Sequence, residues 1–233
     1  MLPQLSGFKR VALDLLFPPY CIGCGREGNY ICGRCERELP YISPPFCSIC
    51  GRPLSADGNC PGCISKDHAI DGIRAPFLFD GLIRHAIHEL KYHNLRALAP
   101  VLAGFLFEYL SENTVPGNIL VPVPIHPKRL RERGYNQSSM IAHKLGSLCG
   151  SPVIDSCLAR MTYVAPQARL SSAADRLKNI TGAFACRDSQ LKDKHVILID
   201  DVSTSGATLN ACAGALKSAG AAGVWGLTIA LEL

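Results

Sequence analysis

No apolar run in this sequence approaches the roughly 18 residues that a bilayer-spanning helix requires, so membrane insertion is not expected. A short apolar segment does lie within Met1–Pro19, but Asp14 interrupts it and no small-residue cleavage site follows. The expectation is a chain without a signal peptide, working in the cytoplasm. Charge is also in short supply. Charged residues make up 18% against 48% hydrophobic, which excludes a chain held open by its own repulsion. A core must form, and 233 residues suffice for one medium α/β domain with one small module.

Cysteine, by contrast, is abundant. Eight of the twelve cysteines form four Cys-x-x-Cys knuckles: Cys21/Cys24, Cys32/Cys35, Cys47/Cys50 and Cys60/Cys63. Each knuckle presents two thiolates to one tetrahedral zinc, so four knuckles supply two structural zinc sites. Sequential and interleaved pairings are both geometrically open. The sequential one is preferred, because Gly25 and Gly51 directly follow the first knuckle of each half, as in zinc ribbons. The remaining Cys149, Cys157, Cys186 and Cys212 stand among apolar residues and read as small core side chains. His85, His88 and His93 fit no compact zinc spacing and read as surface histidines.

The formal charge of +5 is unevenly placed. Residues 1–66 hold seven Lys/Arg and five Asp/Glu, and two four-thiolate zinc sites would bring that module to about −2. Most of the positive excess falls in one short segment of the second half. Residues 5–16 carry an amphipathic helical pattern, and 67–72 reads as a join, giving an N-terminal ribbon module over 1–66 and a second domain over 67–233. Beyond it the pattern predicts a strand over 73–79, helices over 82–91 and 98–110, a buried strand over 119–124, a helix over 137–148 and a last strand over 223–231.

The chemistry is concentrated in Val196-Ile-Leu-Ile-Asp200-Asp201-Val-Ser203-Thr204-Ser205-Gly206-Ala207-Thr208. Val196 to Ile199 suit a strand buried on both faces of a parallel sheet, with two carboxylates where it should end. A hydroxyl- and glycine-rich turn follows, then a helix with Leu209, Cys212 and Leu216 on one face. Ser203, Thr204, Ser205, Gly206, Ala207 and Thr208 at a helix start suit a phosphate. A carboxylate beside a phosphate is repelled unless a cation or sugar hydroxyls intervene, so Asp200 and Asp201 suit vicinal ribose hydroxyls with Mg²⁺ nearby. The stretch resembles the phosphoribosyl pyrophosphate motif of type I phosphoribosyltransferases.

A second stretch, His126-Pro-Lys128-Arg129-Leu-Arg131-Glu-Arg133-Gly134, follows the 119–124 strand. Four cations bracketed by proline and glycine read as a constrained loop at a strand end. Facing the acidic pair across the sheet, Lys128, Arg129, Arg131 and Arg133 would suit a pyrophosphate. Lys91 closes an earlier helix with its cation toward the same pocket. Few aromatics accompany the basic loop, and Tyr135 is the nearest stacking candidate.

Val121-Pro-Val-Pro124 with the basic stretch through Gln137, the segment Gln167-Ala-Arg-Leu-Ser-Ser-Ala-Ala-Asp-Arg176-Leu-Lys-Asn179, Leu90-Lys91-Tyr92 and the cysteine module together resemble the ComF family over essentially the whole chain. One departure is Thr204-Ser205, where many relatives have two threonines; the second hydroxyl survives. The resemblance implies an α/β fold with a type I phosphoribosyltransferase-like parallel sheet flanked by helices, behind a double zinc ribbon. It implies a mobile loop bearing Gln167, Arg169 and Arg176, and a role in natural competence with single-stranded DNA and other competence proteins as partners. Two functions stay open. One is an enzyme binding phosphoribosyl pyrophosphate with Mg²⁺, Asp200 and Asp201 at its catalytic centre. The other is a non-catalytic sensor of the same ligand that escorts single-stranded DNA.

Overall fold

Short apolar strands alternate with amphipathic helices through most of the computed structural model, which describes residues 18–55, 57–60, 63, 68–162 and 182–233. A single-turn helix α1 (Gly33–Glu36) belongs to the cysteine module. After it come β1 (Gly72–Arg74), β2 (Phe77–Leu78), α2 (Gly81–Tyr92), α3 (Leu98–Glu112) and β3 (Ile119–Pro122). The chain continues through α4 (Pro127–Arg133), α5 (Gln137–Cys149), β4 (Leu158–Arg160), β5 (Phe184–Cys186), β6 (His195–Ser203), α6 (Ala207–Ser218) and β7 (Gly223–Leu231).

The main sheet is parallel throughout, in the order β1–β7–β6–β3, with β2 pairing further along β7. Its central strand β6 is buried on both faces. Ile197 and Ile199 pack with Ile87, Leu90, Leu102, Leu106 and Leu145 from α2, α3 and α5. Val196 and Leu198 point the other way, toward Leu209, Cys212 and Leu216 of α6. The two-residue period of a strand thus sorts one continuous apolar run into two cores. A separate antiparallel pair, β4 with β5, packs near α6.

Four sequence expectations change. Strand β6 does not stop before the acids: Asp200 lies opposite Thr228, and Ser203 opposite Leu231, because β7 is long enough to keep pairing. The predicted 73–79 strand divides into β1 and β2 at Pro76, which has no N–H for a ladder; its carbonyl accepts instead from Ile42 N at 2.8 Å. The basic stretch is a helix, α4, rather than a constrained loop. Pro127 occupies its first turn, His126 Nδ1 accepts from Lys128 N at 3.2 Å, and Gly134 ends it at φ 80°. Finally, Cys149 is exposed at the end of α5, and Cys186 is half-buried, while Cys157 and Cys212 are core residues. The helix expected over 5–16 and the loop bearing Gln167, Arg169 and Arg176 lie outside the described residues.

The cysteine module lies against the sheet through backbone contacts. Ile73 N donates to Ile49 O at 2.6 Å and Leu78 N to Pro40 O at 2.8 Å, while the Tyr41 ring meets Phe77 at 4.7 Å. No helix among the described residues is long and apolar enough to cross a membrane.

Candidate functional site

The knuckles pair sequentially. Cys21, Cys24, Cys32 and Cys35 form one group and Cys47, Cys50, Cys60 and Cys63 another, with all ligand atoms of a group within 4.8 Å of one another. Sulfurs on a tetrahedral zinc at 2.3 Å should stand about 3.8 Å apart. The distances are 3.6 Å for Cys24–Cys32, 3.8 Å for Cys47–Cys63 and 3.4 Å for Cys50–Cys60. In both halves the first knuckle turns back on itself: Gly25 N donates to Cys21 O at 2.8 Å and Gly51 N to Cys47 O at 2.9 Å. Burial pushes the Cys21 thiol up, but N–H groups of Cys32, Cys24 and Gly23 outweigh it and bring the group down to about 6. Cys47 comes down to about 7 in the same way, through the N–H groups of Cys50 and Ile49. The lowering is not shared by every ligand: Cys35 is raised by its neighbouring sulfurs, and Cys50 and Cys63 by burial. It is the donor sets and their sulfur spacing that fit two structural zinc ions.

The second site lies at the carboxyl end of the sheet, in a cavity of about 200 Å³ between β3 and β6. This is where parallel sheets hold ligands. Asp200 and Asp201 form its acidic side. Ser138 Oγ, in the first turn of α5, donates to Asp200 Oδ1 at 2.8 Å, and the N–H of Asp201 donates to the same oxygen at 2.9 Å. Asn136 sets that helix start: its Oδ1 accepts from Ser138 N at 3.1 Å and its Nδ2 donates to Val123 O at 3.0 Å. Burial, and then the charge of Asp201, push the Asp200 carboxyl up to about 7, against the pull of Lys91 and Ser138. Asp201 is 3% exposed. Lys91, at the end of α2, lies 2.8 Å from its Oδ1, while its Oδ2 is buried with no hydrogen-bond partner among the described residues.

The same cavity is also lined by cations. Arg129 and Arg133, one helical turn apart on α4, line the cavity; Lys128 and Arg131 are not among its lining residues. A four-residue step keeps two cations on one face, and the 3.6-residue period turns the other two away. Arg133 is held by a hydrogen bond to Gln137 Oε1 and lies 5.6 Å from the Tyr92 ring centroid. Arg160, at the end of β4, is a further lining cation and stacks at 5.4 Å on Phe184. Of the serine- and threonine-rich turn only Thr208 lines the cavity; Ser203 is buried in β6, and Thr204 and Ser205 are exposed beyond it. Gly206, with φ 73°, caps α6.

Arg160, Ser138 and Tyr92 were not legible as site residues. A lone arginine after two apolar residues carries no pattern, and the flanking chain is not regular enough to place it. Ser138 had a faint signal, because Asn136-Gln-Ser is a helix start. Tyr135 is no stacking platform: it is 7% exposed, its hydroxyl donates to Leu90 O, and Arg96 covers its ring at 4.5 Å. Tyr92, 53% exposed, is an aromatic residue that does line the cavity. The histidines are surface residues as expected, with His85 at 3.3 Å and His93 at 2.7 Å from Glu89.

Comparison with known proteins matches the double zinc ribbon domain to residues 12–64. Competence protein F of Haemophilus influenzae is 27% identical over 218 residues, covering 89% of each chain. Competence protein ComFC of Bacillus subtilis is 26% identical over 82% of this chain and 80% of its own. The DNA utilization protein YhgH of Salmonella typhi is 27% identical over 83% and 86%. Among solved structures, a purine phosphoribosyltransferase from Pyrococcus horikoshii aligns with 18% identity and a TM-score of 0.34 over 57% of this chain and 80% of its own. The glutamine phosphoribosylpyrophosphate amidotransferase of B. subtilis aligns with 18% identity and a TM-score of 0.38, this chain covering 26% of it. At such scores the fold stands on the sheet and site geometry described above. Over more than four-fifths of its length the chain is similar to the competence proteins F and ComFC and to YhgH, in keeping with the resemblance to the ComF family.

Proposed function

We propose that the protein binds phosphoribosyl pyrophosphate together with Mg²⁺ at the carboxyl end of the sheet, and acts as a phosphoribosyltransferase in the uptake or use of DNA in the cytoplasm. The observation that carries this reading is Asp201 Oδ2, buried without a hydrogen-bond partner among the described residues, in a residue that lines the same cavity as Arg129, Arg133 and Arg160. A buried carboxylate oxygen without a donor is costly, and a ligand bringing hydroxyls or a hard cation would satisfy it. In this reading Asp200 and Asp201 hold the ribose hydroxyls and are the residues that would hold Mg²⁺, and the turn from Ser203 to Thr208 holds the 5-phosphate. Bound there, Mg²⁺ would supply charge neutralisation on the pyrophosphate. The arginines stabilise the negative charge that pyrophosphate takes with the electron pair of the broken C–O bond, while a lone pair of an acceptor forms the new bond to the ribose carbon. Residues 67–233 form the ligand-binding domain in this reading, and residues 1–66 the ribbon module.

Titration calorimetry with phosphoribosyl pyrophosphate, with and without magnesium, tests the proposal; heat only in the presence of both supports it, and no heat in either condition refutes it. A second reading is favoured by the exposed Tyr92, which has His88 at 5.5 Å and Arg133 at 5.6 Å. Such an aromatic beside cations suits a nucleic-acid base, and the names of the relatives concern competence and DNA. A non-catalytic adaptor of this kind would bind phosphoribosyl pyrophosphate and single-stranded DNA without ever releasing pyrophosphate.

A further inference from the structure

The second cysteine group extends a side chain to the turn on which the phosphate reading depends. Cys47 N donates to Arg52 O at 2.8 Å, so Arg52 closes the turn of the Cys47-x-x-Cys50 knuckle. Its guanidinium then leaves the ribbon: Nη2 donates to the carbonyl of Thr204 and lies 3.4 Å from the carbonyl of Glu232. The base of this arm is fixed. Arg74 Nη1 donates to Ser48 O at 2.9 Å, and Gly51 lies so close to β1 that a Cβ there would stand 2.5 Å from Ile73 O.

The turn itself is anchored at both ends by backbone. Ser203 O accepts from Glu232 N at 2.9 Å, and Asn210 N donates to Gly206 O at 2.9 Å. Between those anchors Thr204 and Ser205 are exposed, and Arg52 holds the peptide that joins them. In a trans peptide the C=O and the next N–H point in opposite directions. A cation pulling the Thr204 carbonyl toward the ribbon therefore turns the Ser205 N–H away from it and fixes that donor's direction.

We propose that Arg52 is a positioning residue for the phosphate-binding turn, which makes the second zinc ribbon a working part of the ligand site. The inference depends on the turn being the phosphate site. Zinc loading at Cys47, Cys50, Cys60 and Cys63 then sets the pose of Arg52, and Arg52 sets the Ser205 peptide.

The test uses the full-length, zinc-loaded protein with ribose 5-phosphate as probe, which carries the phosphate but no pyrophosphate. Arg52→Met should weaken ribose 5-phosphate about tenfold, the scale of one charge-assisted hydrogen bond lost. Amide hydrogen exchange at residues 204–208 should accelerate, with zinc content and thermal midpoint unchanged. Arg52→Lys keeps the charge without the fork and should fall between the two. Wild-type affinity in Arg52→Met, or unchanged exchange over 204–208, overturns the inference. Should Arg52→Met lose zinc, Arg52→Lys decides, and wild-type affinity there overturns it equally. A wild-type protein that does not bind ribose 5-phosphate refutes the phosphate reading itself, an outcome distinct from binding that is indifferent to Arg52.

Discussion

Arg129 and Arg133 face the cavity, and Lys128 and Arg131 do not line it, although all four fall within six residues. Replacing either cavity arginine by alanine should therefore weaken phosphoribosyl pyrophosphate by roughly 1.5–3 kcal/mol, the worth of a hydrogen bond to a charged group. Lys128→Ala and Arg131→Ala should change it several-fold less, and calorimetry on the four variants would show the split. Equal losses from all four would mean that the cations act as a diffuse field. Asp200 makes a separate prediction in the absence of ligand and magnesium. Its carboxyl is raised to about 7, so between the ordinary carboxylate value and 7 the folded state binds more protons than the unfolded one. Stability is then greatest at low pH as far as this group is concerned, and falls as pH rises through 7. Asp200→Asn removes that fall. Its thermal midpoint should exceed the wild-type value at pH 8, and the gap should close toward pH 4; an Asn variant less stable at pH 8 would contradict the assignment.

At the scale of elements, the knuckle that begins the second cysteine group is built to lie on β1. Gly51 has φ 72°, a left-handed conformation that side chains resist, and it leaves no room for a Cβ against Ile73 O. Gly51→Ala should cost about 1–3 kcal/mol in strain and loosen the ribbon from the sheet. Gly25, with φ 71° and nothing within 4 Å of a Cβ, should cost less as alanine, because only the backbone objects. Thermal unfolding of the two variants ranks them; the reverse order would mean that contact with β1 adds nothing. Helix α4 shows the same dependence on context from the other direction. Proline before the cations and glycine after them bracket a loop as readily as a two-turn helix, and here the His126 cap and the Gly134 terminus favour the helix.

Across the whole molecule, two zinc ions per chain should be found by elemental analysis of protein purified without chelator, since each cysteine group supplies the four ligands of one tetrahedral ion. A ratio near one would leave half the knuckles empty. Chelation should release the ribbons before the parallel sheet unfolds, because zinc affinity is folding energy for a cysteine-ligated module. Hydrogen exchange would register this as early loss of protection over the cysteine segment, with β6 and β7 still protected. Through Arg52 the same treatment should also speed exchange at residues 204–208, although Thr204 lies 152 positions away in the chain.

Chemistry carried by short-range pattern was determined by the sequence alone. Four knuckles at fixed spacing can hold two tetrahedral ions, and four apolar residues before two acids can become a buried strand with carboxylates near its carboxyl end. Lys91 was legible for a similar reason, as the last cation of an amphipathic helix. What only the tertiary structure decided were the relations between segments distant in the chain. Ser138 reaches Asp200 across 62 positions and Arg52 reaches Thr204 across 152, and neither contact leaves a local period to read. Arg160 enters the cavity wall for the same reason, while the four cations of α4 were divided by helical rotation, which depended on their segment being helix rather than loop.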